Sequence, residues 1–196
     1  MTILFRNLFC IFICAFLSSS AQNIYPTNYF ASPVNYEITL AGNFGEIRPD
    51  HFHAGIDIKT DGKEGIPVSA SADGYVSRIN ISPYGYGKAL YIDHPNGYTT
   101  VYAHLKAFYS PLDSVIKSFQ YANESFEIDT PLSPIYFVKK GELIGFSGNT
   151  GGSQGPHLHF EIIYTKSEML INALFFGLQV KDSRAPEIAS VYIYPL

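Results

Sequence analysis

The segment Gly155-Pro156-His157-Leu158-His159-Phe160-Glu161-Ile162-Ile163-Tyr164 decides how the rest of the chain is read. From His157 to Tyr164 it has the composition of a β-strand, and successive side chains on a strand point to opposite faces. His157, His159 and Glu161 therefore share one face, while Leu158 and Phe160 share the other, which is the face expected in a core. Two imidazoles and a carboxylate in a row on one side of a strand offer nitrogen and oxygen donors to a cation. Upstream, His53-Ala54-Gly55-Ile56-Asp57 is an H-x-x-x-D. If that segment is extended, His53 and Asp57 also share a face. Two such strands side by side would gather three donors around one ion, with a fourth position left for water, as catalytic zinc requires. In a chain with six histidines either spacing arises readily by chance, and His51-Phe52-His53 forms a competing H-x-H. Spacing leaves open which histidines bind.

The surrounding sequence is also β in character. Tyr36–Leu40, Gly65–Ser71, Gly74–Ile81, Lys88–Asp93, Tyr98–Leu105 and Glu142–Phe146 are short apolar or alternating runs separated by Gly, Pro, Asn and Asp. Pro95-Asn96-Gly97 joins two of them as a hairpin turn. This pattern predicts a mainly β fold of antiparallel sheets forming a sandwich or open barrel. One helix is expected at 111–121: Ser110 as cap, Pro111 in the first turn, Asp113 reaching back, and Leu112, Val115, Ile116 and Phe119 as an apolar stripe. A weaker helix is expected from Glu168 to Phe176, stopped by Gly177, and a strand from Ile188 to Tyr194.

The 196 residues suit one domain with extensions. With 13 Lys+Arg against 17 Asp+Glu and no basic run, nucleic acid is not an expected partner. Fifteen Tyr and fifteen Phe argue against disorder. Residues 1–21 read as a signal peptide: Arg6, the apolar run Leu8–Leu17, then Ser19-Ser20-Ala21, with Gln22 as the first mature residue. Ten apolar residues are about half of what crosses a bilayer, so cleavage with no stable membrane span afterwards is expected, and an uncleaved anchor is the alternative. Both cysteines, Cys10 and Cys14, lie in this segment. The mature chain must build any metal site from His, Asp and Glu. An exported location follows, in the periplasm, cell envelope or outside the cell.

The ordered series Phe44-Gly45, Phe52-His53-Ala54-Gly55-Ile56-Asp57-Ile58, Gly65-Ile66-Pro67-Val68, Ala72-Asp73-Gly74-Tyr75-Val76, Tyr86-Gly87, Tyr91-Ile92-Asp93-His94, Thr100-Val101-Tyr102-Ala103-His104-Leu105, Gly148-Asn149-Thr150-Gly151 and Gly155 to Glu161 closely resembles the M23 metallopeptidases, the lysostaphin and LytM-type peptidoglycan endopeptidases. The resemblance covers roughly Phe44 to Ile162. It implies a LytM-like fold with a duplicated hybrid motif and one Zn2+ held by His53, Asp57 and His159. It also implies that His104 and His157 are catalytic, and that the substrates are peptidoglycan peptides, in cross-links or stems. A catalytically silent activator of other wall hydrolases, or a cell-wall binding module, is the alternative reading.

On this basis 22–43 is a lead-in, 44–166 the peptidase domain and 167–196 a C-terminal extension, a candidate start of a further domain. His104 and His157 are farther apart than in compact relatives, and the surplus defines an insertion at about 107–137. It is expected to border the cleft. Glu161 is read as either a carboxylate supporting a ligand histidine or a surface residue. His51 and His94 are read as ordinary surface or core histidines.

Overall fold

The computed structural model describes residues 25–110, 112–183 and 191. The signal segment with its two cysteines, Pro111 and nearly all of the expected strand at 188–194 lie outside the described residues.

The alternation seen in the sequence folds into two antiparallel sheets. The larger is ordered β1 (Leu40–Gly42), β2 (Ile56–Lys59), β11 (His157–Tyr164), β6 (Tyr98–Ala103), β5 (Lys88–Asp93), β4 (Gly74–Ile81) and β8 (Ile128–Pro131). Two short strands fill its gaps. β12 (Leu170–Ile171) pairs with β11 beyond the end of β2, and β9 (Phe137–Val138) pairs with β4 beside β8. The smaller sheet is β3 (Pro67–Ser69), β10 (Leu143–Phe146) and β7 (Ala107–Phe108). Both pairing orders have free ends, so the expected mainly β, antiparallel, open arrangement is what the described residues form.

One face of the large sheet is apolar. Ile56 and Ile58, Leu158 and Phe160, Thr100 and Tyr102, and Leu90 and Ile92 alternate inward and are completely or almost completely buried. All but the polar Thr100 pack in one core cluster with Val68, Phe108 and Ile144 of the small sheet. Each large side chain removed from water there contributes about 1.5–3 kcal/mol. The opposite face carries Asp57, His157, His159, Glu161, Thr99, Tyr91 and Asp93. In β4 a bulge leaves Ser77 between the pairs Val76↔Ile92 and Arg78↔Tyr91. It shifts the alternation, so that Arg78 and Asn80 join the polar face while Ile79 and Ile81 stay inside.

The lead-in and the extension are part of this core. Phe30, Val34 and Ile38 pack with Ile171, Ala173, Phe176 and Leu178, and Ile38 bridges Val180.

The expected helix is present as α1 (Leu112–Ala122), burying Leu112 and Ile116. Phe119 is 37% exposed, so the stripe is buried only at its start. Asp113 binds Lys117 Nζ at 2.7 Å, one turn on. The helix expected at 168–176 is a correction. Glu168 has a left-handed φ of 54° and Leu170–Ile171 pair with β11, so only Ala173–Phe176 turns, as a 3-10 helix. The edge of β11 beyond β2 supplies backbone partners that outweigh a weak helical pattern.

Candidate metal centre and its surroundings

Strand pairing sets the first two groups. β11 lies between β2 and β6, with His159 opposite Asp57 on one side and Ala103 on the other. Gly55 lets β2 come this close, because a Cβ there would collide with the carbonyl of Phe160. His53 arrives differently from the extended segment expected. β2 begins only at Ile56, and His53 ends a hairpin in which Gly45 N–H donates to the His53 carbonyl and His53 N–H to the Glu46 carbonyl. The loop, not strand alternation, brings His53 to Asp57.

His53 Nε2, Asp57 Oδ1 and His159 Nδ1 meet at 3.0–3.1 Å from one another. The three residues are buried. The outer partners fix the tautomers. His53 Nδ1–H donates to the Asn43 carbonyl at 2.7 Å, and His159 Nε2–H to Glu161 Oε1 at 2.7 Å. Each ring, when neutral, presents a lone pair on its inward nitrogen, alongside a carboxylate oxygen. Three acceptors crowded together out of water need a positive charge between them. Tetrahedral zinc, with bonds of about 2.0–2.2 Å, spaces its ligand atoms at about 3.3 Å. These atoms need open by only a few tenths of an ångström, so the donor set suits such an ion.

The electrostatics point the same way. Burial pushes the Asp57 carboxyl up, but hydrogen bonds to His157, His159 and His53 outweigh it and hold the group well below the usual range. Burial also disfavours a charged His159. Its bonds to Asp57 and Glu161 nevertheless raise it to about 9, so a proton is held where a cation would otherwise sit. This pocket stabilises positive charge where the three acceptors converge.

Two more imidazoles stand beside them. His157 Nδ1–H donates to the Gly155 carbonyl at 2.8 Å, and its Nε2 lies 3.3 Å from Asp57 Oδ1. His104 follows the last residue of β6. A continued strand would bury it with Thr100 and Tyr102, but a φ of 58° turns it to the polar side, with its ring centroid 4.7 Å from that of His157. A non-glycine residue in this conformation is strained. His104 N–H donates to the Tyr86 carbonyl at 2.9 Å, and Nδ1–H to the Thr150 carbonyl at 2.8 Å. Nε2 keeps its lone pair. Burial and the neighbouring His157 lower His104 to about 4, so it is neutral at pH 7. All five residues singled out in the sequence thus line one open cleft of about 740 Å³.

Glu161 is buried and also accepts from the Tyr86 hydroxyl at 2.6 Å. Burial, with Glu161 beside it, raises the Tyr86 phenol well above its ordinary range. Tyr86 entered the sequence reading only as part of the resemblance, with no place in the site, and Arg48, whose Nη2 lies 3.0 Å from Asp57 Oδ2, did not enter it at all. His51 is exposed at the rim and paired with Asp50. His94 is buried elsewhere, donating to the Asp73 carbonyl and contacting Thr100 Oγ1 at 2.8 Å. None of the described residues of the insertion lines the cleft. β8 instead lengthens the sheet, and Pro131 borders an adjoining cavity of about 450 Å³ that shares Tyr86 with the cleft. Arg78 ties this edge down through both oxygens of Asp129 at 2.6 Å.

Fold and donor set together define a class: antiparallel β-proteins with a buried His/Asp/His cluster opening onto a cleft across the sheet. The chain belongs to peptidase family M23, whose description matches residues 51–120 and 121–171. It is similar to the DD-carboxypeptidase/endopeptidase Mpg of Neisseria meningitidis, 39% identical over 109 residues, 56% of this chain and 19% of that protein. It is 36% identical over 99 residues to the peptidoglycan DD-endopeptidase ShyA of Vibrio cholerae, 50% of this chain and 18% of that one. The chain thus spans about a fifth of the length of these curated relatives. Among solved structures, the catalytic domain of the M23 protein EnpA from Enterococcus faecalis shares the fold. Its TM-score is 0.53 at 22% identity, over 73% of this chain and 94% of that one.

Proposed function

We propose that this chain is a zinc-dependent endopeptidase acting on peptide bonds of bacterial peptidoglycan, exported through its N-terminal segment. His53, Asp57 and His159 would hold one Zn2+. The observation that carries the reading is the meeting of two imidazole nitrogens and a carboxylate oxygen, all buried, within 3.0–3.1 Å of one another. When bound, zinc supplies Lewis acidity, which makes water more acidic and a peptide carbonyl more electrophilic. Asn43 and Glu161 fix the two ligand imidazoles and keep their free nitrogens turned inward. His104, neutral and presenting Nε2, takes a proton from the attacking water. His157, its Nδ1–H held by the Gly155 carbonyl and its Nε2 beside Asp57, orients the reacting groups, and the proton taken up by His104 is passed to the departing amine. The relatives named as peptidoglycan DD-endopeptidase and DD-carboxypeptidase/endopeptidase support the substrate class.

The test is release of peptides from purified peptidoglycan, followed by mass spectrometry, with zinc content measured on the same samples. Chelator should abolish release. Asp57→Ala should lose metal and turnover, and His104→Ala turnover alone. A wild-type protein with stoichiometric zinc that releases nothing would favour a silent relative, and one without zinc a binding module.

A further inference from the structure

We infer that Arg48 is a positioning residue for Asp57: its guanidinium occupies Oδ2, so that Oδ1 is the one oxygen offered to the cation. This rests on the zinc reading above. The two carboxylate oxygens have separate surroundings. Oδ1 is 3.0, 3.1 and 3.3 Å from His159 Nδ1, His53 Nε2 and His157 Nε2, whereas Oδ2 is 3.0 Å from Arg48 Nη2. Arg48 is itself held by a second carboxylate, the same Nη2 lying 2.9 Å from Glu46 Oε2. Its backbone N–H donates to the His51 carbonyl at 2.9 Å, within the hairpin that ends in His53. One loop thus delivers both a ligand histidine and the guanidinium that orients the ligand carboxylate.

A second observation is independent of that hydrogen bond. Gly42 of β1 lies opposite Asp57, and a Cβ there would collide with both Asp57 Oδ2 and Arg48 Nη2. Oδ2 and the guanidinium thus pack together against bare backbone, in a space that only glycine leaves open.

The chemistry gives this a purpose. A carboxylate can bind a divalent ion through one oxygen or two, and the second would fill the coordination place that a catalytic site keeps for water. A charged N–H donor on Oδ2 competes for that oxygen. Arg suits the task because its guanidinium is rigid and always charged, and one NH2 group of it serves both Asp57 and Glu46, a position that an ammonium on a flexible stem holds less firmly.

The experiment replaces zinc with cobalt(II) in the full chain and compares the wild type with Arg48→Gln and Arg48→Lys. Visible absorption of cobalt is intense in four-coordinate sites and weak in sites of higher coordination. Arg48→Gln should weaken the band and lower cobalt affinity about 10–100-fold, as loss of a ligand's hydrogen-bonding partner does. Arg48→Lys should fall between it and the wild type. A wild-type band with affinity within about threefold in Arg48→Gln would overturn the inference while leaving the metal centre standing. Should Arg48→Gln not fold, Arg48→Lys decides: a partly weakened band supports the role and an unchanged one overturns it. A wild type that takes up no cobalt would overturn the zinc reading and this inference with it.

Discussion

His104 gives the prediction with the clearest magnitude. The fold holds it neutral, its Nδ1–H spent on the Thr150 carbonyl, with a pKa lowered from 6.5 to about 4 by burial and the neighbouring His157. A depressed histidine contributes stability that is complete above pH 6.5 and is lost as pH falls toward 4, because the unfolded chain takes the proton first. The full displacement corresponds to roughly 3 kcal/mol, and roughly 2.5 kcal/mol of that should be gone at pH 4.5. His104→Asn isolates this effect. Asparagine tolerates the left-handed φ, can donate to the same carbonyl and does not titrate. Urea unfolding of both proteins at intervals from pH 7.5 to 4.5 should show the wild type losing about 2.5 kcal/mol relative to the variant. A cation bound beside His104 would lower its pKa further and preserve the sign. Parallel pH curves would refute the reasoning: His104 would then not be held neutral, and its part as proton acceptor would lose its physical basis.

Two other perturbations follow from the same contacts. Glu161→Gln keeps an acceptor for His159 and Tyr86 but removes the charge, so zinc affinity should fall about 10–100-fold by competition titration with little change in fold; unchanged affinity would make Glu161 a bystander. Gly42→Ala should cost metal and about 1–3 kcal/mol in thermal unfolding, because its methyl group enters the space of Asp57 and Arg48; a neutral result would mean that this wall yields.

Where alternation carried the information, the sequence was a sufficient guide. His157–Tyr164, Lys88–Asp93 and Gly74–Ile81 are strands over the expected residues, and the two faces of β11 divide as its parity requires. His104 breaks that rule, since alternation alone would bury it; only the resemblance marked it, and its positive φ is a backbone property that no side-chain pattern reveals. His53 meets Asp57 through a hairpin, so the i, i+4 argument named a correct neighbour for the wrong geometric reason. Arg48 was not legible, because a loop has no period and its partner carboxylate is nine residues on. The expected helix at 168–176 failed because an open stretch of strand edge was available to Leu170 and Ile171, a tertiary fact that local pattern does not contain. The expectation that 107–137 borders the cleft failed because β8 pairs with the far edge of β4, a contact equally absent from local pattern.

The most direct measurement is an anomalous-difference map, collected at the zinc absorption edge, from crystals of the purified protein. A single peak about 2.0–2.2 Å from His53 Nε2, Asp57 Oδ1 and His159 Nδ1 is the predicted result. A map with no peak among those atoms, or with the ion held by other side chains, would contradict the account.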